Sequence, residues 1–263
     1  MDVLRALSRN LARWRQADQD RVLEYIFHHI GVTNKFFVEF GFNTASFEAG
    51  GSGPNTAALY TAFGWRGLLL DGMHRNDTIN LHTEFISPDN IVELFDKYSV
   101  PAEPDYVSID IDSTDVWIFR ELLASGRYRP RVFTVEYNAN FPLESTVTWP
   151  REGRDTPWQG NKVMGSAFGA IKAVGDEFGY SIVWVVPYLD IFFVRDDILD
   201  GVTSIHPTHF WASATSLPVH SPAPEHEVHE LMEYHTWLKT HDAAKARAAA
   251  QEQLREMDIV LTA

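Results

Sequence analysis

Three acids close an otherwise apolar stretch at residues 105–115, "DYVSIDIDSTD". Tyr106, Val107, Ile109 and Ile111 supply the content of a buried strand, while Asp110, Asp112 and Asp115 crowd its carboxyl end. Carboxylates this close repel, so the arrangement calls for a cation, a shared proton or open water. Helix capping accounts for part of it. Ser113 or Thr114 can open the helix that "DVWIFRELLASG" suggests, with Asp115 in its first turn. Capping explains Asp115 well and Asp110 poorly.

Two other acids take comparable positions. Glu39 lies in the apolar run "KFFVEFGF", just before Gly41, and Asp71 ends "WRGLLLDG". Each run reads as a short strand, and helical stretches separate them: "TAALYTAFG", Pro88 to Tyr98, and the helix after Asp115. Next come the strand "RVFTVEYN", a loop rich in Pro and Trp at 141–160, the helix "VMGSAFGAIKAVGDEFG", and the strands "YSIVWVV" and "DIFFVRD". Alternation at this spacing predicts an open, mostly parallel α/β sheet. The few residues around Pro187 predict an antiparallel hairpin at one edge.

In such sheets a ligand lies outside the carboxyl ends of the strands, where the strand order reverses. Glu39, Asp71 and Asp110 mark those ends. Gly41 lets the backbone approach a ligand, and Asn55 or Thr56 can cap the helix whose amino end favours a carboxylate. An acid ending the second strand is the usual partner of two ribose hydroxyls. No Gly-Lys-Ser/Thr follows the glycine-rich loop, so phosphates are not expected there, and no compact Gly-x-Gly-x-x-Gly turn supports a nicotinamide dinucleotide. A nucleoside without phosphates fits best, and S-adenosylmethionine is the obvious one.

"FVEFGFN…PNTAALYTAFGWRGLLLDG", "DYVSIDIDSTDVWIFREL", "RPRVFTVEYNANFP", "WQGNKVMGSAFGAIKAVGDEFGY" and "DIFFVRDDIL" resemble, in order, segments of the FkbM-like methyltransferases within the class I fold. The resemblance covers roughly residues 34–200. It implies a Rossmann-like seven-stranded, mostly parallel sheet with an antiparallel edge strand, helices on both faces, and S-adenosylmethionine as methyl donor. Carried over residue by residue, it puts Glu39 and Gly41 in the first motif, Asp71 at the ribose and Asp110 beside the methionine moiety; Asn43, Asn55, Thr56 and Gly72 are further candidates for contact with the donor. Two segments depart from the usual pattern. Phe42, Asn43 and Thr44, with an insertion holding Gly50, Gly51 and Gly53, stand where an acid and more glycine are usual. Asp112, Ser113, Thr114 and Asp115 replace Asp-Gly-Asn-Asp. These departures leave open the alternative of a non-catalytic binding or scaffold protein on the same fold.

Metal-using O-methyltransferases of class I take ligands from the ends of the fourth and fifth strands. The resemblance therefore offers Asp110, Asp112, Glu136 and Asn138 as a conditional magnesium site, all hard oxygen donors ill suited to zinc. Such an ion would hold two substrate oxygens and lower the pKa of a bound hydroxyl. Asp112, Glu136 and Tyr137 are the candidate catalytic residues, and Tyr137, Trp149 and Trp158 candidate pocket walls. "HPTH" at 206–209 and "HEVH" at 226–229 do not match a helical His-Glu-x-x-His zinc site. His74, His82 and the later His206, His209, His220, His226, His229 and His235 are candidate general bases.

The chain has 263 residues, no cysteine and a formal charge of −14, which argues against broad affinity for nucleic acid or anionic membrane. The first 31 residues carry too many charges for a signal peptide or a span, and a soluble, cytoplasmic protein is expected. Three parts are expected: a helical segment at 1–33, the methyltransferase core at 34–200, and a loop with a helical extension at 201–263. Apolar residues of the appended helices, Leu4, Leu7, Leu11, Trp14, Leu231, Trp237 and Leu238, suggest a homodimer. The function expected is methyl transfer to an oxygen of a small, natural-product-like acceptor.

Overall fold

The structure is a computed structural model, and it describes residues 19–47, 54–153, 163–202, 223–224, 228–256 and 261–262. Its centre is a seven-stranded sheet made of β1 (Phe36–Phe40), β2 (Arg66–Asp71), β3 (Leu81–Thr83), β4 (Tyr106–Ile109), β5 (Val132–Glu136), β7 (Tyr180–Val186) and β8 (Asp190–Arg195). The order is β3-β2-β1-β4-β5-β8-β7. Strands β1 to β5 pair in parallel, and β8 runs antiparallel to both β5 and β7. This is the Rossmann-like class I arrangement. The hairpin lies at the edge as expected, but its antiparallel member is β8, one place inside, and β7 is outermost. Chain direction explains this: the short turn at Pro187 reverses β8, which then fits between β7 and the apolar flank of β5.

Alternating side chains give the sheet two apolar faces. On one, Val38, Leu68, Val107, Phe133 and Phe193 pack with α3 (Ile91–Lys97), α4 (Asp115–Ala124) and α5 (Phe168–Phe178). On the other, Phe37, Leu69, Tyr106, Val132 and Phe192 are covered by α1 (Gln19–Ile30) and α2 (Ala57–Thr61). Helix α1 buries Val22, Leu23, Ile26 and Phe27, the spacing of one helical stripe. Helix α5 begins at Phe168, not at Val163 as its apolar run suggested. Residues 163–167 instead pair with residues 147–149: Trp149 N–H reaches Gly165 O and Ala167 N–H reaches Val147 O.

The described residues of the carboxyl-terminal extension pack against the rest of the chain. A two-residue strand, β6 (Val147–Thr148), inside the segment read as loop, pairs antiparallel with β10 (Met232–Glu233). A parallel pair joins β9 (Ala223–Pro224) and β11 (Leu261–Thr262). Helices α6 (Asp196–Leu199), α7 (Tyr234–Thr240) and α8 (Ala243–Glu256) complete the described elements. Leu231 is buried, and Trp237 and Leu238 pack partly buried against the chain's own core. Leu4, Leu7, Leu11 and Trp14 lie outside the described residues. Among those residues no helix is long and apolar enough to cross a membrane.

Candidate active site at the carboxyl ends of the strands

β1 is flanked by β2 and β4, so the strand order reverses between β1 and β4, the point at which open α/β sheets are expected to form a ligand crevice. Gly41, with φ +67°, closes its floor: a Cβ there would lie 1.8 Å from the Asp110 carbonyl oxygen. The glycine is required by this meeting of two loops, a constraint internal to the chain. Asn43, also left-handed at φ 55°, sends its N–H to Asp71 Oδ2 at 2.7 Å. Asn tolerates that conformation better than most residues, which accounts for one departure from the glycine-rich pattern. Phe42 is buried and edge-on to Phe47.

Glu39 is buried beneath the crevice. Its carboxylate accepts the N–H groups of Asn55 at 2.7 Å and Thr56 at 3.2 Å, and the Thr56 hydroxyl. Burial pushes Glu39 up to about 7, and these hydrogen bonds only partly oppose it. Thr56 occupies the cap position of α2 but makes no side-chain cap; Glu39 receives those donors instead. Asn55 Nδ2 donates to Ser108 Oγ at 2.9 Å, tying β1, its loop and β4 together, while Asn55 Oδ1 is buried without a partner among the described residues.

Asp71 ends β2 in a different environment. Oδ1 accepts from the N–H groups of Met73 and His74, each at 2.7 Å, and lies 2.8 Å from His74 Nδ1. Burial would raise this carboxyl, but the three backbone N–H groups and the imidazole outweigh it and hold it below its ordinary range. Gly72 beside it is exposed, and a Cβ there would meet nothing.

Beyond β4 and β5 the acids converge. One carboxylate oxygen from each of Asp110, Asp112 and Glu136 lies within 4.8 Å of the others. Asp110 and Glu136 are half-buried and Asp112 is exposed, in a left-handed turn at φ 59°. Desolvation, then repulsion from Asp190, Asp115 and Asp112, drives Asp110 well above its ordinary value. Desolvation, then repulsion from Asp110, Asp112, Asp115 and Asp190, drives Glu136 likewise, and partial desolvation raises Asp112. Hydrogen bonding to Glu136 opposes the shift at both aspartates, as a shared proton would. Among the described residues no Lys or Arg pairs with Asp110, Asp112, Asp115, Glu136 or Asp190.

Asp115 holds the turn itself, accepting Ile111 N–H and Ser113 N–H at 2.8 Å each. Thr114 at the cap position makes no side-chain cap bond. Asn138 makes hydrogen bonds of its own. Its amide oxygen accepts two N–H donors of Asn140 at 2.8 Å, and its Nδ2 donates to Met164 O at 2.6 Å. Tyr137 is buried edge-on to Phe168, and its hydroxyl oxygen accepts Tyr188 N–H at 2.8 Å. A strand alternates its side chains, so Tyr137 turns into the core while Glu136 faces the crevice. Trp149 is buried and accepts Trp117 Nε1–H through its carbonyl.

Of the histidines, His74 is on Asp71, His82 Nε2 is 2.8 Å from Asn80 Oδ1 and stacks on Tyr98, and His229 Nδ1 is 2.6 Å from Gln251 Nε2. His235 stands edge-on to Tyr234. His206, His209, His220 and His226, with Trp158, Gly50, Gly51 and Gly53, lie outside the described residues.

Asp190 was not legible as a site residue. It is fully buried at the start of β8, in register with Glu136, with Gln19 of α1 donating to Oδ2 and Oδ1 buried without a partner among the described residues. Burial pushes it up to about 6, against the pull of Gln19. The available signal was the hairpin: an antiparallel strand begins where its parallel neighbours end, so an acid opening "DIFFVRD" falls in the crevice.

The fold and site define a class I, Rossmann-like sheet with acids at four strand ends. No protein-family model matches the chain, and no curated protein matches it. Among solved structures, the MycE methyltransferase from the mycinamycin biosynthetic pathway is similar. Its complex with Mg, SAH and mycinamycin VI is 16% identical, with TM-score 0.40, over 67% of this chain and 50% of that one. A complex of MycE with Mg and SAH is also 16% identical, at TM-score 0.40, over 66% and 48%. The match thus spans about half the length of those chains.

Proposed function

We propose that the protein is an FkbM-like methyltransferase that moves a methyl group from S-adenosylmethionine to an oxygen of a small acceptor, with a divalent cation at Asp110, Asp112 and Glu136. The observation that carries this reading is the convergence of those three carboxylates beside the β1/β4 crevice with no basic partner among the described residues. The donor set fits magnesium or calcium: hard oxygens, one from each of three carboxylates, close enough to share one ion. Asn138 drops out of the set, because its oxygen is held by Asn140.

When bound, S-adenosylmethionine supplies an electrophilic methyl group and the cation polarises the acceptor oxygen. The chain's own residues position and neutralise. Asp71 offers Oδ2 to the ribose hydroxyls, Glu39 keeps the loop of Asn55 and Thr56 in place, and Asp110 faces the donor's ammonium. Asp112 and Glu136 would be ionised as ligands of the cation, whose charge would offset the repulsion that raises both carboxyls without it. Methyl transfer is an in-line displacement, so holding the two reactants together supplies most of the acceleration.

The test supplies labelled donor and a metabolite extract to the purified protein. Transfer that EDTA abolishes and magnesium restores, with S-adenosylhomocysteine still binding in EDTA, is the expected result. Full transfer in excess EDTA overturns the metal. Donor binding without transfer to any acceptor tried favours the scaffold alternative.

A further inference from the structure

Asp71 distributes its hydrogen bonds unevenly. Oδ1 takes Met73 N–H, His74 N–H and His74 Nδ1, whereas Oδ2 takes only Asn43 N–H among the described residues. An ionised carboxylate has about four acceptor positions, so Oδ2 is the oxygen with capacity left. It also lies on the side of the β1 loop, since its donor is Asn43. The His74 imidazole stays on Oδ1 because its own backbone is fixed: the Thr83 hydroxyl donates to His74 O at 2.9 Å from the end of β3. A carboxylate only accepts, so the Nδ1 facing it carries the proton.

We propose that His74 is a positioning residue of the donor site: its Nδ1–H clamps Oδ1 of Asp71 so that Oδ2 is presented to the vicinal hydroxyls of a nucleoside. The inference rests on the donor reading above and adds to it a residue that acts through Asp71. A local turn alone needs only the two backbone N–H groups; the third donor on the same oxygen fixes the rotation of the carboxylate plane. His74 is partly open at this point, with its side chain 30% exposed against 6% for Asp71, so its removal leaves the core intact.

The experiment titrates S-adenosylhomocysteine into the full chain and into His74→Ala, His74→Asn and Asp71→Asn, with thermal melts of each in the absence of ligand. His74→Ala is expected to weaken binding roughly tenfold, the effect of losing one hydrogen bond to a charged group. His74→Asn places an N–H near the former Nδ1 and is expected to recover most of that loss. The melts of both are expected to stay close to that of the parent. Unchanged affinity in His74→Ala, while Asp71→Asn weakens binding, overturns the role of His74 and leaves the donor site standing. Equal loss in His74→Ala and His74→Asn also overturns it, because the N–H is then not what matters. Unchanged affinity in Asp71→Asn removes the ribose assignment itself, and this proposal with it.

Discussion

Glu39 and Asp71 are acids on adjacent strands, both buried, yet their surroundings drive them in opposite directions. Glu39 is pushed up to about 7, and Asp115 and Asp190 up to about 6, by burial first. The folded chain therefore binds more protons than the unfolded chain from about pH 4 to about pH 7, and stability falls as pH rises through that window. Asp71 and Asp105 are held below their ordinary range, so the stability they contribute is lost only as pH falls below about 4. Thermal melts in EDTA should show a maximum near about pH 4 and a decline of several degrees by about pH 8. A midpoint climbing steadily to pH 8 would contradict the charge assignment. Glu136→Gln should raise the metal-free midpoint at about pH 8, since it removes one of the repelling carboxylates; a lower midpoint would mean that Glu136 is satisfied as it stands. Asp110, Asp112 and Asp115 were legible because like charges at a strand end are costly and visible in one line of sequence. Asp190 and Gln19 were not, because their partnership spans 171 residues and depends on which strand neighbours β5.

At the scale of elements, the meeting of the β1 and β4 loops is the tightest constraint on the site. Gly41→Ala would drive a Cβ into the Asp110 carbonyl at a left-handed φ, and backbone cannot move aside as a side chain tip can. A loss of about 3 kcal/mol is expected in denaturant unfolding, in the range of strain at a special backbone position. A loss under about 0.5 kcal/mol would show that the loops separate freely. The strands and most helices were readable because alternation and helical stripes report burial directly. The start of α5 was misplaced for a physical reason: residues 163–167 are apolar for the sake of the small sheet with β6, so apolar content there does not mean helix. Likewise β6 escaped notice because two residues carry no period.

For the whole molecule, residues 228–256 of the carboxyl-terminal extension pack against the core. Tyr234 is buried on Trp117, and Leu231 lies in a cluster with Phe141, Trp149 and Leu254. A chain ending at Val202 should lose its cooperative transition, followed by circular dichroism; a sharp melt close to that of the full chain would return residues 228–256 to the status of an arm. Charge over the whole chain, −14, argues against broad phosphate binding, but where its acids gather is what points to chemistry. The most direct test of the central claim is a calorimetric titration of the full chain with S-adenosylhomocysteine, paired with Asp71→Asn. Saturable binding at one site per chain, weakened roughly tenfold or more by the substitution, is the expected result. No heat of binding from folded protein would contradict it.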